Sequence, residues 1–308
     1  TTARNAADVR DLLRTRLSMT DAEVDRVERY RSAGARAIVE PKLEWLQTRF
    51  ELDAVQLGKM ILRLPPLLLK SSKSMEYNCD WLQRRLGLDE AALREIVLRF
   101  PSLLSASVED NMAPKLEWLQ KRLDPNDVQL RKVARQVSVL STSIDTLESK
   151  LDWLQNRLDL DDAGLRKTVL QLPAVLGLSV EDNLAPKLDW LQNRLELDDA
   201  GLRKTVLQLP AVLGLSVEDN LAPKLEFLAR EIGLSCAELR DWVVKNPTLL
   251  GRSLANRYRP RLEACRAAGV DAKRVLSYAT QTDKIFCEKI GIAPEALEAL
   301  RKQSVLSV

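Results

Sequence analysis

The chain has 308 residues, 45% apolar and 30% charged, with a net charge of +3; these are the proportions of a folding chain, not of a disordered one. It contains no histidine, which removes His general bases, Ser-His and Cys-His pairs and the commonest metal ligand. No Walker loop, G-x-G-x-x-G or G-x-S-x-G occurs, and no apolar run approaches the ~18 residues of a membrane span, so the sequence reads as neither enzyme nor membrane protein and needs no cofactor or metal.

The first 36 residues, with "DLLRTRLSMTDAEVDRV", read as a degenerate capping repeat in which Leu12 stands where tryptophan later recurs. Residues 1–16 show no signal or transit peptide. Regular repeats then run over 37–251. Trp45, Trp81, Trp118, Trp153 and Trp190 are spaced by 36, 37, 35 and 37, with Phe227 and Ala264 each 37 further on. A second series, Pro65, Pro101, Val137, Pro173, Pro210 and Pro247, keeps the same period. The clearest pair is 151–187 and 188–224, which differ only in Asp159 against Glu196. A period of 35–37 belongs to helical solenoids, and about eight units fit the chain.

Within 179–195, Ser179 and Asp182 form a near capping box and Pro186 cannot lie deep in a helix. A short turn over 180–184 and a helix from about 185 follow. Leu184, Leu188, Leu191 and Leu195 form one apolar stripe. In the next stretch Asp161 or Asp162 caps a second helix, Leu165, Val169 and Leu172 form its stripe, and Pro173 ends it. Residues 174–179 read as a 3₁₀-like turn. The predicted fold is all-α: a right- or left-handed superhelical solenoid of helix–helix–3₁₀ repeats in a single domain, 1–308. Tyr77 and Ser149 replace the first proline and Val137 the second, so the units around 70–85 and 125–150 are expected to be less regular. Residues 252–308 form a basic C-terminal repeat and cap. The four cysteines, Cys79, Cys236, Cys265 and Cys287, form no C-x-x-C pair and read as reduced, mostly buried residues.

The recurrent unit resembles the mTERF motif, the repeat of mitochondrial transcription termination factors. Its start stands here as "PKLEWL" (41–46 and 114–119), "PKLDWL" (186–191) and "PKLEFL" (223–228). Its end stands as "RLPPLL", "RFPSLL", "QLPAVL" and "KNPTLL", and 253–291 is similar to the family's closing segment. The resemblance implies a solenoid curved into a half-ring with a basic concave face along nucleic acid. It also implies a mitochondrial or plastid location and a role in organellar gene expression, such as transcription termination or regulation, or ribosomal or intron RNA work. The implied partner is double-stranded DNA or structured RNA, bound by a monomer, with an organellar protein partner also open.

Candidate nucleic-acid contacts come from the residues themselves. Lys187, Trp190 and Arg194 share one helix flank at i,i+3 and i,i+4 spacing. The set recurs as Lys42/Trp45/Arg49, Lys115/Trp118/Arg122 and Lys150/Trp153/Arg157, and in part as Lys224/Phe227 with the arginine shifted to Arg230. Second helices add Arg166 and Arg203, beside Lys167 and Lys204. Either these cations meet phosphates, or the tryptophans pack between units while the cations snorkel to water. The strongest candidates lie in 252–274, where seven basic residues face two acidic ones, while 1–251 carries 36 basic and 38 acidic residues. Arg252, Arg257, Arg259, Arg261 and Arg266 are the expected phosphate contacts, with Tyr258 as a stacking residue. On that reading, truncating Arg257 and Arg261 leaves thermal stability unchanged. The rival class is a protein-interaction scaffold, which the near-neutral 1–251 favours.

Overall fold

The structure, a computed structural model, describes residues 2–29, 36–136 and 138–306. Val137 lies outside them. Among the described residues there are 19 α-helices and no strand. They fall into two compact units, residues 1–147 and 148–308.

In the unit 1–147, Thr2–Leu17 and Asp21–Glu28 form the first helix pair. Arg36–Arg49, Ala54–Arg63 and the 3₁₀ turn Pro65–Leu69 form the first full repeat. Ser72–Leu86, Glu90–Arg99 and Pro101–Leu104 form the next. In the unit 148–308 the twin repeats are built from Asp162–Gln171, Ala185–Leu195 and Asp199–Gln208, with 3₁₀ turns at Pro173–Gly177 and Pro210–Gly214. Ala222–Glu231, Cys236–Lys245 and Pro247–Gly251 repeat the plan. Arg259–Ala267, Arg274–Ser277, Asp283–Ile290 and Pro294–Leu306 close the chain.

The sequence logic of a repeat is realised bond by bond. Ser179 caps the turn by accepting from the Asp182 N–H at 3.0 Å, and its hydroxyl donates to the Asp182 carboxylate at 3.0 Å. Val180–Leu184 is then a single π turn, in which the Leu184 N–H reaches back to the Ser179 carbonyl at 3.0 Å. Pro186 has no N–H to offer the Asp182 carbonyl, and the wider turn absorbs the missing rung before Ala185–Leu195 continues as α-helix. The same turn precedes Pro114, Pro223 and Pro260, at Val108–Met112, Val217–Leu221 and Leu254–Tyr258. Leu184, Leu188, Leu191 and Leu195 are fully buried, as are Leu165 and Val169. Asp161 and Asp198 cap the second helices, each accepting from a glycine N–H at 2.7 Å. The same cap forms where the residue carries a Cβ, as from the Ala92 N–H to Asp89 at 2.8 Å.

One expectation reverses. The units in which Tyr77 and Ser149 replace proline are smoother, not rougher: Ser72–Leu86 and Ile144–Arg157 run as unbroken helices of 15 and 14 residues with no π turn. Without the proline no rung is missing. Around Val137 the departure is real, since a short α-helix, Ser138–Ser141, stands where other repeats carry a 3₁₀ turn.

The first helix of a repeat is tied to the closing turn of that repeat by one recurring bond. Lys187 donates to the Leu213 carbonyl at 2.5 Å and to Asn183 Oδ1 at 2.9 Å. Lys42 reaches the Leu68 carbonyl at 2.5 Å, Lys115 the Leu140 carbonyl at 2.7 Å and Lys150 the Leu176 carbonyl at 2.7 Å. Lys224 reaches the Leu250 carbonyl. Where Asn78 replaces lysine, its amide donates to the carbonyls of Leu103, Leu104 and Ala106 at 2.9, 3.1 and 2.8 Å. Replacing Lys187 by Met leaves a buried carbonyl without a donor. Lys187→Met should therefore cost about 1–3 kcal/mol in urea unfolding, while Lys204→Met, at an exposed site, should stay within about 0.5 kcal/mol.

Candidate nucleic-acid interface

The expected basic column divides once the side chains are placed. Lys115, Lys187 and Lys224 are 6%, 5% and 2% exposed, and Lys150 is half-buried on the Leu176 carbonyl. These lysines close the repeats and do not present ammonium groups to a ligand. Burial pushes Lys224 down to about 8, and Lys42, Lys115, Lys150 and Lys187 shift the same way for the same reason. The tryptophans at i+3 are half-buried, as a packing role requires.

The arginines of the column mostly bind the neighbouring repeat. Arg157 donates to Asp189 at 2.8 Å and to Gln192 at 2.9 Å. In the unit 1–147, Arg49 holds Glu76 and Glu90 at 3.0 and 2.6 Å, and Arg16 holds Glu44 at 3.3 Å. Arg122 is half-buried and also engaged. Arg194 is half-buried, with no hydrogen bond or ion pair among the described residues.

Second-helix arginines act as a further set of ties. Each first helix ends in a residue with positive φ: Glu51, Asp124, Asp159 and Glu196 at 46°, 41°, 47° and 48°, and Gly87 and Gly233 at 60° and 73°. Arg203 donates to Asp159 at 2.7 Å and Arg240 to Glu196 at 3.3 Å. In the unit 1–147, Arg94 instead takes the Phe50 carbonyl at 2.6 Å. Arg166, at the matching position, is exposed and engaged. Lys167 and Lys204, one residue on, are exposed and make no hydrogen bond or ion pair among the described residues.

The basic C-terminal stretch divides in the same way. Arg261 is fully buried. It donates to the carbonyls of Tyr278 and Gln281 at 2.5 and 2.9 Å and to Asp283 at 2.7 Å, with its guanidinium 4.5 Å from the Phe286 ring centroid. It stands 37 residues beyond Lys224, so it is the seventh member of the lysine series and not a phosphate contact. Tyr258 is fully buried, with its hydroxyl on the Leu249 carbonyl at 2.7 Å, so it offers no stacking face. Arg257 donates to the Gln281 carbonyl at 2.7 Å, and Arg266 pairs with Glu231 and Glu263 at 2.9 and 2.8 Å. Arg252, Arg259 and Arg274 have no carboxylate partner among the described residues. Arg259 is exposed, with its guanidinium 5.5 Å from the Phe227 ring centroid. Arg230, Arg259 and Arg266 line one open groove over Phe227, of about 380 Å³, together with Glu226, Glu231 and Glu263.

The sequence reading missed two things. One is the exposed acidic residue on every first helix: Glu44, Asp80, Glu117, Asp152, Asp189, Glu226 and Glu263. Its spacing of 35–37 was visible beside the lysines. The other is Arg301, which holds Asp283 at 2.6 Å from the last helix and has no repeat signature. No group of three or more His, Cys, Asp or Glu suited to a metal occurs among the described residues, and no described helix is long and apolar enough to cross a membrane.

Two tests follow from these placements. Arg261→Ala removes a buried cation from Asp283 and two carbonyls and should cost about 3 kcal/mol in urea unfolding. Arg259→Ala should change stability by no more than about 0.5 kcal/mol. For Lys224, the folded amine is neutral above about 8 whereas the unfolded chain stays charged up to the ordinary 10.5. The folded state then binds fewer protons between those values, so stability contributed at Lys224 rises with pH across that window and is lost as pH falls through 8. The stability difference between wild type and Lys224→Met should grow from pH 7.5 to pH 10; a constant difference would contradict the buried ammonium.

No curated protein matches the chain significantly. The mTERF family model matches residues 35–141 and 127–286, in two overlapping segments. With its repeats, prolines and buried leucine stripes in place, the chain belongs to the mTERF family.

Proposed function

We propose that the chain binds double-stranded DNA through phosphate contacts and acts in organellar transcription, as a termination or regulatory factor. Membership of the mTERF family supports a nucleic-acid-binding role in organellar gene expression, and a mitochondrial or plastid address goes with it. The observation that carries the choice of ligand is the fate of the cations. After the fold's own bonds are made, Arg252, Arg259 and Arg274 in the strongly basic 252–274 have no carboxylate partner among the described residues, and Lys167, Arg194 and Lys204 make no polar contact there. A fold that required these charges only for packing would have engaged them, as it engages Lys187 and Arg261.

These are arginines and lysines, without an ordered set of polar side chains aimed at one base edge. They suit phosphate oxygens, which fix position and carry no sequence information. The twin repeats 151–187 and 188–224 present nearly the same residues twice, which costs nothing if phosphates are read. A protein-interaction scaffold is the second reading, favoured by the exposed acidic residue on every first helix.

A labelled duplex should bind with log K falling against log salt with a slope of about −3 or steeper, since at least three phosphates are neutralised. Absence of binding at ~50 mM salt, or a slope near zero, would overturn the reading. Structured RNA run beside the duplex and bound more tightly would move the ligand to RNA.

A further inference from the structure

Consecutive second helices pack against one another, and two such junctions lie side by side in the unit 148–308. Asp162–Gln171 packs on Asp199–Gln208, which in turn packs on Cys236–Lys245. The first wall of each junction is the same sequence, "DAGLRKTVLQ". The second wall differs. Arg240 keeps the place of Arg203, but Asp241 stands where Lys204 does, Val244 where Leu207 does and Lys245 where Gln208 does.

The exchange at Val244 opens the second junction. In the first, Leu207 Cδ2 lies 3.2 Å from where a Cβ on Gly164 would stand, so a leucine covers that glycine. Over Gly201 the three nearest atoms all belong to Asp198 and Leu197, the last at 3.7 Å, and Val244, one carbon shorter than leucine, supplies none of them. An open cleft of about 650 Å³ lies there instead, with Leu197, Ala200, Gly201 and Val244 as its apolar walls. The charges at its rim are unevenly committed. Arg240 holds Glu196 at 3.3 Å and Asp241 at 3.7 Å, and the Asp198 carboxylate accepts from the Gly201 N–H at 2.7 Å. Lys204 and Lys245 are exposed and make no hydrogen bond or ion pair among the described residues. The cleft therefore offers apolar walls and two uncommitted ammonium groups.

We propose that this cleft is a docking site for an acidic segment of a partner protein. A branched aliphatic side chain of the segment, leucine for preference, enters over Gly201, and carboxylates on either side of it meet Lys204 and Lys245. The fold itself shows that the side chain fits, because Leu207 already fills the equivalent place over Gly164. The volume falls within the ~300–1,000 Å³ of ligand-sized clefts, so residues next to the leucine lie along the same walls. An aliphatic anchor in an apolar recess supplies affinity, and charges at the rim select the partner. The site does not rest on the DNA-binding reading above. Lys204 is common to both, so the test is made without nucleic acid.

The probe is the peptide acetyl-Glu-Glu-Leu-Glu-Glu-amide, titrated into the methyl-labelled full chain and followed by NMR at the Leu197 and Val244 methyl signals. Wild type should show saturable shifts. The same peptide with alanine in place of leucine should bind about tenfold more weakly, and so should acetyl-Lys-Lys-Leu-Lys-Lys-amide. Val244→Leu installs the residue found at Leu170 and Leu207, so the fold accommodates it, and it should weaken the acidic peptide about tenfold at the Leu197 signals. Lys204→Gln with Lys245→Gln should weaken it about fivefold. No saturable shift in wild type, equal affinity in Val244→Leu, or equal affinity for the lysine-flanked peptide overturns the proposal. Two other occupants are distinguished in the same samples. If N-acetyl-leucine binds as tightly as the peptide, the cleft holds a small carboxylate and the partner segment is overturned. If wild type self-associates in sedimentation velocity and Val244→Leu does not, the cleft holds a second copy of the chain, and the partner segment is again overturned.

Discussion

A cation buried against the last carbonyls of a turn is the interaction on which each repeat depends. The 3₁₀ turn that ends a repeat leaves carbonyls pointing into the space beneath the first helix, where no backbone N–H can reach them. A long side chain with a cationic end spans that gap and satisfies them. Lys42, Lys115, Lys150, Lys187 and Lys224 do this with one ammonium each, Asn78 with an amide, and Arg261 with a guanidinium. The variety of donors shows that the constraint is a hydrogen-bond donor at that place; charge is secondary. Charge carries its own penalty, visible in the depressed Lys224, and the partial compensation is the asparagine one turn earlier at Asn111, Asn183 and Asn220.

Stacking uses a second device. Every first helix must stop and turn, and it does so through one left-handed residue. At Asp159 and Glu196 the carboxylate of that residue meets an arginine from the second helix of the next repeat. Where carbonyls lie open, as at Phe50, the arginine takes the carbonyl instead. The helix end is thus also the docking point for the next repeat, which lets near-identical units follow one another without a redesigned core. What remains for a ligand is the residue of this process: the cations that neither the clamp nor the docking point consumes.

Much of this was readable before the structure. The leucine stripes, the Ser179 and Asp161 caps and the two proline series each state a local rule, and local rules survive folding. The smoothness of the repeat containing Tyr77 is not legible from the missing proline, because the π turn stands before Pro114, Pro186, Pro223 and Pro260, whereas Pro41 lies inside the α-helix Arg36–Arg49. The lysines were harder. A lysine on the edge of an apolar stripe looks the same whether its amine rises to solvent or sinks to a carbonyl 26 residues away, and only the neighbouring turn decides. Arg261 is ambiguous in the sequence for a related reason. Its membership of the lysine series stands in "PRLE" at the place of "PKLE", but it lies among seven basic residues that share one stretch, 252–274. Arg301 and the Asp283 cluster had no period and no motif to betray them.

The clamp can be observed directly. In uniformly 13C,15N-labelled protein, long-range NMR couplings across hydrogen bonds connect a lysine Nζ to the carbonyl carbon that accepts from it. Slowly exchanging Nζ–H signals should be seen for Lys42, Lys115, Lys150, Lys187 and Lys224, coupled to the carbonyls of Leu68, Leu140, Leu176, Leu213 and Leu250 in turn. Rapidly exchanging, freely averaging amine signals at these five lysines would contradict the account.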